Sequence, residues 1–293
     1  MANERETDSL TLSSSSDLPD DFKYVNNRRF TETAYLLPND KDEASRLDLQ
    51  HLIFRQLVHG NFQAPVEDDL VSGIKVVDVG CGAGSWVMDM ARDYPASTFI
   101  GVDVGDTFPK AVDRPPNCNF LQADVTKGLP FEDKSIDYVF ERTLVLAFTP
   151  SDWENVVKEF KRVLKPGGWV ELFEVYIRLE RPPNTPLIDA MVAVSLSRGI
   201  QIEIVWELGK LLRRHGFHDI EEDYVCCPLG WGGRVGELNA YNAEMFYMAM
   251  MPKAAPLLNF TNEEYTTVVK RHIQSFIPQK TWFKAPYAFG RKP

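Results

Sequence analysis

Apolar residues recur along the chain at two spacings, and the exchange between those spacings is the main signal. Residues 74–79 run almost unbroken in Val and Ile, as a strand buried on both faces requires. Trp86, Val87, Met90, Ala91 and Tyr94 then recur at the helical period, with Pro95 just after the stop. The exchange repeats, and further strands are predicted over 98–103, 119–123, 135–141 and 169–175. Before the last of these, Ser151-Asp152-Trp153-Glu154 reads as a capping box. It opens a helix whose apolar face is Trp153, Val156, Val157, Phe160, Val163 and Leu164, and Lys165-Pro166-Gly167-Gly168 closes it. Alternating strands and helices predict a doubly wound α/β fold, with a mainly parallel sheet and helices on both faces. Its ligand crevice lies at the carboxyl ends of the strands.

The flanks read differently. Residues 42–59 predict an amphipathic helix with Leu49, Leu52, Ile53 and Leu57 on one face and Gly60 as terminator. Residues 35–40 read as an extended entry and a turn. After Pro186 the pattern predicts helices over 187–196, 204–215 (closed by Gly216), 237–251 and 262–276, with strands over 220–227 and 282–289. Pro286 interrupts the last, because proline removes a ladder donor. Residues 1–22, with four consecutive serines and a single base, are expected to be a disordered tail. Residues 23–293 are expected to form one domain.

Composition narrows the function classes. With 293 residues, 44% of them hydrophobic, the chain needs neither disulfide nor metal to hold a core. Its four cysteines form no C-x-x-C pair, so no metal site is expected. Cys226 and Cys227 fit two strand residues pointing to opposite faces. A formal charge of −10 argues against a nucleic-acid surface. No secretory leader and no bilayer-length apolar run is evident, which points to the cytoplasm, with the nucleus also allowed.

The chemistry concentrates at Val77-Asp78-Val79-Gly80-Cys81-Gly82-Ala83-Gly84-Ser85, where a buried strand enters a glycine turn that opens a helix. Glycines allow a ligand to approach the main chain without a Cβ in the way. The spacing is G-x-G-x-G; the dinucleotide pattern would want its third glycine at Ser85. That leaves an NAD(P)-dependent oxidoreductase as an alternative reading, disfavoured also by the lack of a Tyr-x-x-x-Lys pair. Asp103 ends the next strand about 20 residues on, where an acid can accept from both ribose hydroxyls. Asp124 follows the third strand, placed for an adenine amino group, and Glu141-Arg142 closes the fourth at the same rim. Singly, each has a bland explanation, such as a solvated strand end or a turn former. Their recurrence at successive strand ends is the signal.

At these residues the chain resembles the class I S-adenosylmethionine (SAM)-dependent methyltransferases. Gly128-Leu129-Pro130-Phe131 with Ile136-Asp137-Tyr138-Val139, and Arg162-Val163-Leu164-Lys165-Pro166-Gly167-Gly168, extend the likeness over about residues 72–176. Looser motifs, Tyr35-Leu36-Leu37-Pro38-Asn39-Asp40, Arg46-Leu47, His51, Pro228-Leu229-Gly230-Trp231 and Gly290-Arg291-Lys292-Pro293, are similar to the fungal LaeA-like regulators of secondary metabolism. The resemblance implies a Rossmann-like seven-stranded sheet of order 3-2-1-4-5-7-6 with the seventh strand antiparallel. It implies helical insertions over about 180–203 and 234–277 covering an acceptor site. It implies SAM held by Asp78, Gly80, Cys81, Gly82, Gly84, Asp103, Asp124, Val125 and Glu141. Gly80 to Gly84 would lie against its methionine and ribose, Asp103 on the ribose, Asp124 and Val125 on the adenine, and Asp78 at the amino end. Arg46 would meet the donor's carboxylate or form a structural ion pair. His51 and Glu141 are the candidate bases if the acceptor needs one, and Trp231 and Tyr241 are either acceptor-pocket or packing aromatics. The acceptor is a small molecule or a protein. Regulatory protein partners follow from the same likeness, as does a non-catalytic SAM-binding role.

Overall fold

The computed structural model describes residues 22–26, 28–31, 35–181 and 185–293; the predicted tail falls outside them except for Phe22. A hairpin of β1 (Phe22–Val25) and β2 (Arg28–Thr31) precedes α1 (Lys41–Leu57) and α2 (Glu67–Ser72). The alternating region follows as β3 (Lys75–Val79), α3 (Ser85–Asp93), β4 (Thr98–Asp103), β5 (Cys118–Gln122), β6 (Ile136–Arg142), α4 (Pro150–Val163) and β7 (Leu164–Phe173). The remainder is α5 (Pro186–Ser197), α6 (Leu208–Arg214), β8 (His218–Pro228), α7 (Arg234–Leu257), α8 (Asn262–Gln279) and β9 (Trp282–Arg291).

Seven strands form one sheet in the order β5-β4-β3-β6-β7-β9-β8. Counted from β3 as the first, this is 3-2-1-4-5-7-6, the expected order. β3 to β7 pair in parallel, and β9 runs antiparallel to both β7 and β8. Pro286 does not break β9. Regular pairing with β7 ends one residue earlier, at Phe173 opposite Tyr287, and the Pro286 carbonyl still accepts from the Glu174 amide at 2.8 Å.

Side-chain alternation divides the core. Val77, Val79, Val139 and Val170 face α4 and α6, burying Trp153, Phe160 and Leu211. Val76, Tyr138 and Phe140 face α3, where Trp86 stacks on Phe140 with ring centroids 4.1 Å apart. A third apolar cluster joins α5, α7 and α8 through Met191, Met250, Tyr265 and Phe276. Cys227 is buried and Cys226 exposed, as alternation along β8 dictates.

Local signals were partly misplaced. The cap of α4 is Thr149, whose hydroxyl accepts from the Asp152 amide while Asp152 accepts from the Thr149 amide, so the box begins two residues before Ser151. α1 ends with His59 in the left-handed region (φ 55°), and Gly60 closes the turn by donating to the Arg55 carbonyl at 3.1 Å. Its buried face is also not the predicted one: Leu52 is exposed, whereas Glu43, Arg46, His51, Ile53 and Phe54 are buried. The 204–215 stretch divides into a 3₁₀ turn (Ile202–Trp206) and α6. α2 and the hairpin have no counterpart in the sequence reading.

Candidate active site

A cavity of about 420 Å³ opens at the carboxyl ends of β3, β4, β5 and β6, within the size range of small-molecule sites. Gly80, Gly82, Asp103, Asp124 and Val125 line it together, and Glu43, Ala44 and Leu47 of α1 roof it. The Gly82 amide donates to Asp103 Oδ2 at 2.8 Å and the Gly105 amide to Oδ1 at 2.7 Å. These bonds hold down a carboxylate whose pKa burial nonetheless raises. Asp124 accepts from the Thr126 amide and hydroxyl at 3.0 and 2.6 Å; these bonds and Lys127 outweigh its burial and hold its pKa below the ordinary value.

Gly82 and Gly84 of the loop are not equivalent. Gly82 takes φ 54°, and a Cβ there would meet Leu47 Cδ1 at 2.8 Å. Gly84 (φ 83°) lies in none of the cavities; a Cβ would strike the Phe120 ring at 2.4 Å, so its freedom serves packing rather than ligand approach. Cys81 is turned with Asp78, His51 and Arg142 toward a small side pocket of about 40 Å³.

Asp78 and Arg142 form the electrostatic centre of this site. Strand alternation sets both on the α3 face of the sheet. Asp78 is 4% exposed and, among the described residues, has neither hydrogen bond nor ion pair. Burial pushes its pKa up to about 7, against the pull of Arg142. Arg142 lines both the main cavity and the side pocket with no carboxylate of the described residues within 4 Å, and burial lowers its pKa to about 10. Its guanidinium donates to His51 Nδ1 at 2.9 Å, and His51 Nε2 meets Asp89 at 2.9 Å. Because Arg142 can only donate, His51 is the neutral Nε2–H tautomer with both nitrogens engaged. Burial, together with Arg142, keeps its pKa low despite Asp89. Here His51 orients Arg142 and is not free to take a proton.

Glu141, expected at the rim, lies beneath it on the opposite face from Arg142. It is fully buried and lines none of the cavities. It lies beside Glu174: burial and the neighbouring carboxyl raise the Glu141 pKa strongly, and burial raises that of Glu174 to about 7. Glu174 accepts from the Leu144 and Val145 amides at 2.7 and 3.0 Å. The pair therefore fixes the loop that follows β6, where Thr143 holds φ 61°, a costly conformation for a β-branched residue.

Thr143, Tyr35 and Leu47 separate the main cavity from a second one of about 90 Å³. That cavity is walled by Val145, Leu146, Ile177, Leu229, Phe246 and Tyr247, with Arg46, Gln50, Asn239 and Asn242 as its polar groups. Arg46 binds both oxygens of Glu43 at 2.6–3.0 Å, and it lines the second cavity, not the main one. Trp231 donates to the Thr281 carbonyl at 2.6 Å and Tyr241 is 57% exposed; neither lines a cavity.

A methyltransferase-domain model matches residues 76–168. The methyltransferase pytC of Aspergillus terreus is 32% identical over 238 residues, covering 77% of this chain and 71% of the relative. The chain belongs to the class I SAM-dependent methyltransferases. The secondary metabolism regulator LAE1 of Cochliobolus heterostrophus is 28% identical over 70% of each chain. Among solved structures, phosphoethanolamine N-methyltransferase 2 of Haemonchus contortus has the same fold (TM-score 0.52, 17% identity, 90% of this chain and 62% of that one). As a class I methyltransferase the protein uses SAM as methyl donor, and the oxidoreductase alternative is set aside. Among the described residues no helix is long and apolar enough to cross a membrane.

Proposed function

We propose that the 420 Å³ cavity holds SAM with its adenine toward Asp124 and Val125, its ribose on Asp103, and its methionine end between Asp78 and Arg142. The observation that carries this reading is a half-buried base, Arg142, that lines both the main cavity and the side pocket, with the buried acid Asp78 in that side pocket and Asp103 in the main cavity. An amino acid zwitterion supplies the ammonium that Asp78 lacks and the carboxylate that Arg142 lacks. Bound SAM supplies a methyl group made electrophilic by a sulfonium. The chain's own residues orient and enclose it: Gly82 and Gly105 fix Asp103, His51 aims Arg142, and Leu47 and Tyr35 keep water from the junction.

The second cavity, joined at Tyr35, Leu47 and Thr143, supplies the acceptor site, and it favours turnover over a role in which SAM is only bound. Cytoplasmic or nuclear residence, a place in fungal secondary metabolism and regulatory protein partners are part of the same reading, supported by the likeness to LAE1. Calorimetric titration with SAM tests it. Wild-type protein binds with one-site stoichiometry, and unchanged affinity in a folded Asp103→Ala variant refutes the site.

A further inference from the structure

We propose that the methyl acceptor is a small, largely apolar molecule that presents a ready-formed oxygen anion, and that Arg46 binds this anion in the second cavity. The inference rests on the SAM reading above and deepens it.

Three observations carry it. First, the walls are apolar and narrow, from β7 and its extension, α1 and α7, and they offer few partners for a peptide main chain. Second, the polar groups gather with spare capacity. Arg46 is 3% exposed, and Glu43 occupies its Nε and Nη2; Nη1 reaches only Asn242 Oδ1, at a loose 3.4 Å. Asn242 is 7% and Asn239 2% exposed. The Asn242 nitrogen has no partner, and Asn239 donates to the Pro228 carbonyl while its oxygen accepts nothing; the Gln50 amide is unmatched as well. Buried amides with unused halves are costly unless a ligand completes them. Third, among the described residues no carboxylate, imidazole, lysine or thiol lines this cavity. Its two phenols, Tyr35 and Tyr247, are kept protonated by burial.

With no base present, the acceptor must lose its proton in solution. A carboxylate, enolate or acidic phenolate does so. Its oxygen forms the O–C bond as the C–S bond breaks, the electron pair returns to sulfur, and both charges vanish with no proton left to place. Low-dielectric walls favour a step that cancels charge. An amine acceptor would leave an ammonium to deprotonate beside a guanidinium.

The test uses full-length protein, methyl-tritiated SAM, and four probes: decanoic acid, a cyclic 1,3-diketone, decylamine and mixed histones. Label enters the acid or the diketone as solvent-extractable ester or enol ether. At saturating SAM the rate rises through the acceptor's own pKa and shows no further step at the pKa of an enzyme group. Arg46→Gln raises KM for the anion by about tenfold or more while SAM affinity stays within about twofold. The pH profile is read on the wild type, so the test survives if that variant does not fold. Label in decylamine or in protein, no label in either oxygen acid, or, at saturating SAM, a rate that follows the Asp78 pKa of about 7 instead of the acceptor's own overturns the proposal while SAM binding stands. Failure to bind SAM overturns both readings.

Discussion

The two cavities meet at three side chains yet are built by opposite means. The donor cavity is made of main chain and charge at the rim of the sheet: glycine amides, Asp103, Asp124, Asp78 and Arg142. The acceptor cavity is made of aliphatic and aromatic side chains on α7 and beyond β7, with one ion pair and three amides. A rim of backbone groups is fixed by the fold itself. A wall of side chains can be exchanged without disturbing the sheet, which is how one fold serves many acceptors.

The sharpest way to break this contrast is to fill one cavity alone. Ala243→Phe, on α7, should reduce methyl transfer by about a hundredfold or more while SAM affinity changes less than about twofold. Parallel calorimetry and tritium transfer read the split, and an equal loss of both would show the cavities are not separable. Next in size, Asp103→Ala should weaken SAM binding by about 1–3 kcal/mol, roughly 5- to 150-fold, with transfer falling in step at subsaturating SAM. Third comes pH. Burial raises Asp78 to about 7, so between about pH 4 and 7 the native chain holds a proton that the unfolded chain has lost. Ligand-free stability therefore falls as pH rises through that window, whereas SAM affinity rises as Asp78 ionises to meet the ammonium. Asp78→Asn should flatten both slopes, raising the melting temperature above pH 7 relative to wild type and weakening SAM; a wild-type affinity independent of pH from 6 to 8 would contradict it. The smallest effect is expected for His51→Phe. Losing one hydrogen bond to Arg142 should cost about 0.5–1.5 kcal/mol of SAM affinity, seen as a faster off-rate.

The strands from β3 to β6 were legible nearly to the residue, because buried parallel strands are short apolar runs bounded by turn residues, whereas β7 takes in Leu164–Gly168, read as the end of a helix and its closing turn. The rim was legible for the same reason: Gly80, Gly82, Asp103, Asp124 and Val125 follow from strand ends, and they line one cavity. What escaped was tertiary. Glu43 and Arg46 look like solvated residues on a helix until each covers the other, so the buried face of α1 was misread. Arg142 was seen only as a strand terminus. The available signal was parity: Asp78 pairs with Phe140, and two residues further along the same face stands Arg142. By the same parity Glu141 had to point away, into the acid pair under the loop. The six-residue α2 spans fewer than two helical turns, too few for a recurring apolar face to announce it.

α1 furnishes wall to both chambers: Glu43, Ala44 and Leu47 toward the donor, Arg46, Leu47 and Gln50 toward the acceptor. Attempts to retarget the enzyme at Leu47, which faces both chambers, would therefore disturb its grip on the methyl source as well. Redesign of what it alkylates belongs on α7 and on the segment beyond β7, where Ala243, Phe246 and Ile177 answer to the acceptor alone.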